Sequence, residues 1–423
     1  MGRPKPWLRC PTGCVALALV VGLCVPWGAA SAQTYGVALS NVLMPASGGM
    51  AGTSVAAPQD FLSAINGNAA ALTQFRGTHF TLGGAFAEPT LRLSQSANIP
   101  LLHVSPFSEK SGTPGSIVPA IGVSHELDGM PLPTTFGIGV MGAAGGGSSY
   151  VQAPESNGTS SYLLILEFAP SLAVSLTERL SIGATMFVGD GYASGPLLGV
   201  SSMTNAYSLG AGLGIDYSVS DATRLGAYYR STQAFRFHDE VIPIGRAAPL
   251  DVDIGLPQMV GIGISNESLL DGRLLLAADA LYLDWNSAAF FGGIYSAQWV
   301  LQLGTQLQAT ERVRLRMGYA YAGNPIDVHD ADAAGPGPIP GTTAAERYVQ
   351  AQYAIVNPHR LTAGYGYADV LPGLDFDAFA GGMFPATAYL GSSTRLDAAS
   401  WWIGLGLTWR FDAATTGRRG TSS

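Results

Sequence analysis

Few side chains in this sequence can do chemistry, and most of those are arginines. Only 12% of the 423 residues are charged, lysine stands only at Lys5 and Lys110, and the histidines (His79, His103, His125, His238, His329, His359) are scattered. A guanidinium in an apolar setting grips a carboxylate through two parallel hydrogen bonds. Arg230, Arg236 and Arg316 are the candidates to hold an anionic ligand group in this way. Arg224, Arg314, Arg360 and Arg410 are of the same kind. For each, the alternative is a structural pair with an acid such as Glu167, Asp216 or Asp279. His238-Asp239-Glu240 and Asp327-Val328-His329-Asp330 group possible metal ligands, but neither has the spacing of a recognised metal motif, and both read as solvated loop charge. No phosphate-cradling glycine loop or dinucleotide fingerprint is present, and no Ser-His-Asp grouping can be argued from linear sequence. The residues therefore point to a protein that is not an enzyme, with no cofactor and no metal.

The framework that must position these side chains is set by composition. The chain is 47% hydrophobic and holds 55 glycines, whereas a soluble domain of similar apolar content carries about 25% charged residues. Disorder is excluded, because it requires low hydrophobicity and high net charge. Beyond the N-terminus no run of about 18 apolar residues occurs, so there are no spanning helices. Alternation resolves this, with apolar residues at every second position of strands that face lipid. In Asn205–Val219, Tyr207, Leu209, Ala211, Leu213, Ile215 and Tyr217 share one face, and Ser208, Gly210, Gly212, Gly214 and Asp216 the other. In Arg312–Tyr321, Val313, Leu315, Met317, Tyr319 and Tyr321 oppose Arg312, Arg314, Arg316 and Gly318.

The pattern predicts an all-β fold, a transmembrane antiparallel β-barrel. Its fourteen strands are centred near residues 82, 120, 138, 168, 184, 212, 230, 258, 279, 302, 316, 351, 366 and 405. Connections alternate short and long, from the short turn Thr177–Glu178 to the long loops Gly323–Ala345 and Ala378–Asp397. Short turns are periplasmic in such barrels, so both termini are periplasmic. On this reading Arg230 and Arg236 point inward on the seventh strand and Arg316 on the eleventh, while Arg224, Arg314, Arg360 and Arg410 lie nearer the periplasm. Leu163 and Ile165 point inward on the fourth strand, and Leu275, Leu281 and Leu283 on the ninth. Such an apolar inner wall disfavours ions and sugars and suits a greasy solute. These leucines line a ligand path, pack against a plug, or do both. Gly142 and Gly145–Gly147 end the third strand, where glycine permits a kink or bulge.

The ends are different. Arg3, Lys5 and Arg9, the apolar run Val15–Val25 and Ala30-Ser31-Ala32 read as a signal peptide over residues 1–32. That segment holds all three cysteines (Cys10, Cys14, Cys24) and three of the 21 basic residues. The remainder carries 18 basic against 29 acidic residues, a balance of −11 that repels nucleic acid. Residues 33–75 lack clean alternation. Phe61, Leu62, Ile65, Leu72 and Phe75 suit a plug inside the barrel better than a loose leader. The barrel proper is residues 76–411, and residues 412–423 are a polar tail.

The segment Ser47-Gly48-Gly49-Met50-Ala51-Gly52-Thr53-Ser54-Val55-Ala56, followed by Ala64-Ile65-Asn66-Gly67-Asn68-Ala69-Ala70-Ala71-Leu72, resembles the long-chain fatty-acid transporter (FadL-type) family of outer-membrane proteins. Phe136-Gly137-Ile138-Gly139, Gly255-Leu256-Pro257 and the aromatic end Trp409-Arg410-Phe411 extend the likeness along the mature chain. Ala69 stands where the family usually has proline. The resemblance implies a fourteen-stranded barrel closed by an N-terminal hatch, in the bacterial outer membrane. It also implies passive uptake of a hydrophobic ligand such as a long-chain fatty acid, and a lateral exit through a kinked third strand. Arg230, Arg236 or Arg316 would then meet the ligand head group, while Phe61, Ile65, Asn68, Gly142 and Gly145 would serve the plug and gate. The protein is expected to act as a monomer among outer-membrane lipids. A general diffusion porin and an outer-membrane barrel hydrolase are the alternatives.

Overall fold

The chain is described from a computed structural model over residues 40–195, 203–241, 248–326, 343–353 and 358–411. The proposed signal peptide, the first residues of the plug, the Asp327–Asp330 cluster and the tail 412–423 lie outside the described residues.

The wall runs as β1 (Thr78–Gln95), β2 (Ser116–Leu127), β3 (Thr134–Ser149), β4 (Ser160–Ser175), β5 (Leu180–Ser194), β6 (Thr204–Ser220) and β7 (Thr223–Arg230). It continues as β8 (Gln258–Leu269), β9 (Leu274–Asp284), β10 (Gln298–Gln308), β11 (Val313–Ala322), β12 (His359–Leu371), β13 (Leu374–Leu390) and β14 (Thr394–Arg410). Each strand pairs antiparallel with the next. The ring closes where β14 pairs with β1, from His79–Arg410 to Gln95–Thr394. Closure leaves no free edge at the seam, as a wall in lipid requires. The two faces follow the alternation. On β6 Leu209 and Leu213 are exposed on the outside, while Gly212, Gly214 and Asp216 are buried on the inside. The outward apolar residues meet lipid, so their exposure in the isolated chain is the expected state.

Glycines on the inner face make room for residues 40–75. A Cβ at Gly183 would land on the backbone of Ala69 and Ala70, and one at Gly226 on the carbonyl of Val55. The plug is built from the turn Ser47–Met50, the short helix Phe61–Asn66 and the turn Ala69–Gln74. The Asp60 side chain caps the helix by accepting from Ser63 N at 2.8 Å, and it also accepts from Ala46 N and Ser47 N. Wall side chains hold the plug on several sides. Asp279 of β9 accepts from Ser54 N (2.6 Å) and Val55 N (3.0 Å), Gln302 of β10 donates to Ala51 O, and Thr362 of β12 accepts from Ala51 N.

Three expectations are corrected. The segment near residue 351 is a helix, Thr343–Gln352, and not a strand. The span Ala378–Asp397 is no long loop: it holds most of β13, a tight turn at Gly391 and the start of β14. These two errors cancel in the strand count. As a consequence Arg360 sits at the long-loop end of β12, not near the periplasm. Third, β7 stops at Arg230. The next residues form an inner hairpin, Gln233–Val241 paired with Leu250–Leu256, which is separate from the wall.

Candidate functional site

The wall is irregular next to the plug where β2 meets β3. β2 and β3 pair from Leu127–Thr134 up to Ala120–Met141, and there the pairing stops. On its other side β3 keeps pairing with β4 to Ser149–Ser160, but with a register shift between Gly142 and Ala144. Ala143 is the extra residue of a β-bulge, which bends a strand and ends its pairing on one side. The bulge also inverts the inward parity, from Gly139 and Met141 below it to Ala144 and Ser148 above it. Across the gap, Ser116–Pro119 of β2 pairs only with β1, and Pro119 has no N–H to offer. The top of the gap is bridged by Gly112 N donating to Ser149 O at 2.7 Å. The result is a window in the wall between β2 and β3. Irregular backbone at membrane depth is tolerated where it lines a cavity.

A cavity of about 30 Å³ lies inside, lined by Ala143 of the bulge and by Asn66, Tyr228, Arg230, Met259 and Leu281 among others. Arg230 is the one charged side chain on this lining. Its guanidinium pairs with Glu167 of β4, donates to Asn66 Oδ1 (3.1 Å) and Gln233 Oε1 (3.0 Å), and lies 3.9 Å over the Phe187 ring.

Above the plug the lumen is apolar. Leu163, Ile165 and Leu281 point inward and share one buried cluster with Phe235 and Phe237 of the inner hairpin and with Ala144. Phe235 rests on Gly189 and Gly191 of β5, so the hairpin folds into the barrel mouth. The helix Thr343–Gln352 covers the mouth. Tyr295 donates its hydroxyl to Gln350 O (3.2 Å) and to Tyr353 O, Gln350 Nε2 donates to Ile294 O (2.5 Å), and Ser148 Oγ of β3 donates to Gln352 Oε1 at 2.6 Å. Burial raises the Tyr348 hydroxyl to about 12, so it stays a donor to Thr159 at neutral pH.

The remaining site residues are dispersed. Arg316 is buried against the plug and pairs with Asp377 at 2.5 Å, far from Arg230 in the strand order. Arg236 does not point into the lumen. It lies 64% exposed on the hairpin, 3.2 Å from Asp251, because the hairpin turns Phe235 and Phe237 inward and Arg236 outward. The Asp239 backbone N–H holds the Asp251 carboxyl below its usual range, which keeps that pair charged at neutral pH. Leu275 packs with Met50 and Ala57 of the plug, apart from the other inward leucines. Phe61 and Ile65 pack with Met141, the last residue of β3 paired to β2, and with Phe187. Asn68 donates to Val55 O (2.8 Å) and Ile215 O (2.9 Å), tying plug to wall, and its Oδ1 caps the following turn at Ala70 N. Gly142 flanks the bulge, and Gly145 pairs with Leu164 just above it.

Sequence reasoning missed Phe235, Phe237 and Tyr228 as lumen residues, and it missed the covering helix. The alternation in Phe235-Arg236-Phe237 and Val252–Ile254 was the available signal for a hairpin of its own.

Comparison with known proteins agrees with this architecture. Residues 25–368 match the family described as Outer membrane protein transport protein (OMPP1/FadL/TodX). Among solved structures, the toluene transporter TodX of Pseudomonas putida is 17% identical with a TM-score of 0.65, covering 87% of this chain and 98% of its own. A FadL homologue of Pseudomonas aeruginosa is 16% identical with a TM-score of 0.63, covering 90% of this chain and 100% of its own. The toluene transporter TbuX of Ralstonia pickettii is 18% identical with a TM-score of 0.60, covering 87% and 98%. At these identities the structural likeness concerns the fold. No curated protein matches the chain by sequence. The family match over most of the chain, together with the closed barrel and its internal plug, places this protein in the outer membrane as a member of the OMPP1/FadL/TodX family of transport proteins.

Proposed function

We propose that the chain lets hydrophobic small molecules diffuse passively from the barrel mouth through the apolar upper lumen, and releases them sideways through the window between β2 and β3. The bulge at Ala143 carries this reading, because it joins the lumen cavity to a break in the wall pairing. The apolar cluster around Leu163, Ile165, Leu281, Phe235 and Phe237 supplies the greasy surface above it. An acyl chain and an aromatic ring suit such a surface equally. A fatty acid differs from a neutral hydrocarbon in its carboxylate, and all three arginines expected to meet one are engaged with acids. A lumen occupied by the plug counts against a general diffusion porin.

The test is a bridge across the window. Cysteines at Val118 and Ala144, joined by a bifunctional thiol reagent, should stop uptake of a labelled hydrophobic compound by cells carrying the protein. Undiminished uptake through a bridged window would refute the sideways route. We further propose that residues 1–32 are an export signal and that the protein works as a monomer. N-terminal sequencing of the mature protein should begin at Gln33, and light scattering in detergent should give one chain.

A further inference from the structure

Resting on the transport reading, we propose that Glu167 makes this path selective for uncharged hydrophobic molecules, by keeping Arg230 from binding a carboxylate. Arg230 is the one charged group on the cavity beside the bulge. Left alone, it would be an anion site placed on the route to the window, with the fork that carboxylates fit. Glu167 reaches it from β4 and is itself fully buried. The other contacts hold the guanidinium still. Asn66 comes from the plug, Phe187 from β5 and Gln233 from the inner hairpin. The donors facing Asn66, Glu167 and Gln233 and the ring face over Phe187 are therefore occupied before any ligand arrives.

Among the described residues no other buried arginine replaces it. Arg316 is paired with Asp377, and neither Arg347 nor Arg360 is free. A fatty-acid carboxylate on this path would shed its water without gaining a cation, which is strongly unfavourable in an apolar setting. A molecule of the same length with no charge meets no such barrier. A purely structural Arg230–Glu167 pair would tie β7 to β4 across the lumen without altering which cargo passes, so the ratio of two cargoes separates the roles.

The experiment compares initial uptake of hexadecanoate and hexadecan-1-ol at neutral pH by cells expressing the full chain and lacking other long-chain channels. The natural chain should favour the alcohol by about tenfold or more, a modest discrimination in binding terms. Glu167→Gln exposes an unpaired Arg230 and should raise the acid-to-alcohol ratio about tenfold. The double variant Glu167→Leu with Arg230→Met removes both charges and should keep the alcohol preference. Equal uptake of acid and alcohol by the natural chain, or an unchanged ratio in an outer-membrane-assembled Glu167→Gln variant, overturns the proposal. If that variant does not assemble, parity of acid and alcohol in the natural chain or the double variant overturns it equally. Uptake of the acid alone overturns the selectivity and leaves transport standing, whereas uptake of neither refutes transport itself and the selectivity with it.

Discussion

Ala120 and Met141 are the last residues that pair β2 to β3, and two residues beyond Met141 the strand bulges at Ala143. Met141 also packs on Phe61 and Ile65 of the plug. The end of the wall pairing, the plug and the cavity therefore meet within a few residues. A closed barrel gives up backbone pairing at membrane depth only where something else is gained, and a bulge beside a cavity is a place where function and irregularity coincide.

The plug should depend on Asp279. Its carboxyl accepts from Ser54 N and Val55 N, and such hydrogen bonds contribute about 1 kcal/mol each. Asp279→Ala leaves both N–H groups buried without that partner. Planar-bilayer recordings are expected to show higher ion conductance for the variant than for the natural chain. Equal conductance would mean that the anchor does not hold the plug.

Much of this was legible in the sequence, and the failures have physical causes. Period-two alternation placed β6, β11 and β14 and assigned their faces, because lipid outside and small residues inside leave a clean signal. Leu163, Ile165 and Leu281 were found inward by the same parity. β13 was missed because Pro385 interrupts it beside a register shift between Met383 and Ala386, and because Phe379 points inward while Phe376 points outward. The helix Thr343–Gln352 is buried on every side from Arg347 to Gln352, so it shows no one-faced helical pattern. It was read as a strand because every flanking segment alternated. Arg236 was misplaced because a hairpin folding into the mouth alternates just as a wall strand does. The Arg230–Glu167 pair was open to the sequence as a possibility, but no linear pattern chooses among several acids on different strands.

Glycine on the inner face of β5 is a packing requirement. Gly183→Val pushes a side chain into Ala69 and Ala70, and overpacking of this kind costs about 1–3 kcal/mol. The lipid-facing neighbour Ala184→Val should change stability by less than about 0.5 kcal/mol. Heat-modifiability of the folded barrel on denaturing gels measures both. Equal midpoints for the two variants would show that the plug does not press on Gly183.

The covering helix is fastened by polar contacts as well as by the burial of Tyr348, Val349 and Ala351. Tyr295→Phe removes the hydroxyl that donates to Gln350 O and Tyr353 O. The single hydroxyl proton serves one carbonyl at a time, so its loss of about 1 kcal/mol corresponds to a roughly fivefold rise in local opening. Hydrogen exchange over residues 343–353 should quicken by that factor, with exchange in β6 unaltered as the control. Unchanged exchange would place the hold on the helix elsewhere.

The bulge can be tested by removing it. Deleting Ala143 takes out the one residue by which β3 exceeds its partner β4, so the register becomes continuous and β3 can go on pairing with β2 beyond Met141. The decisive measurement is uptake of a labelled uncharged hydrophobic compound by cells whose outer membrane holds equal, heat-modifiable amounts of the natural chain or the deletion variant. Exit through the window predicts that the deletion brings uptake down to the level of cells without the protein. Uptake at the natural rate from an assembled barrel lacking the bulge would contradict it.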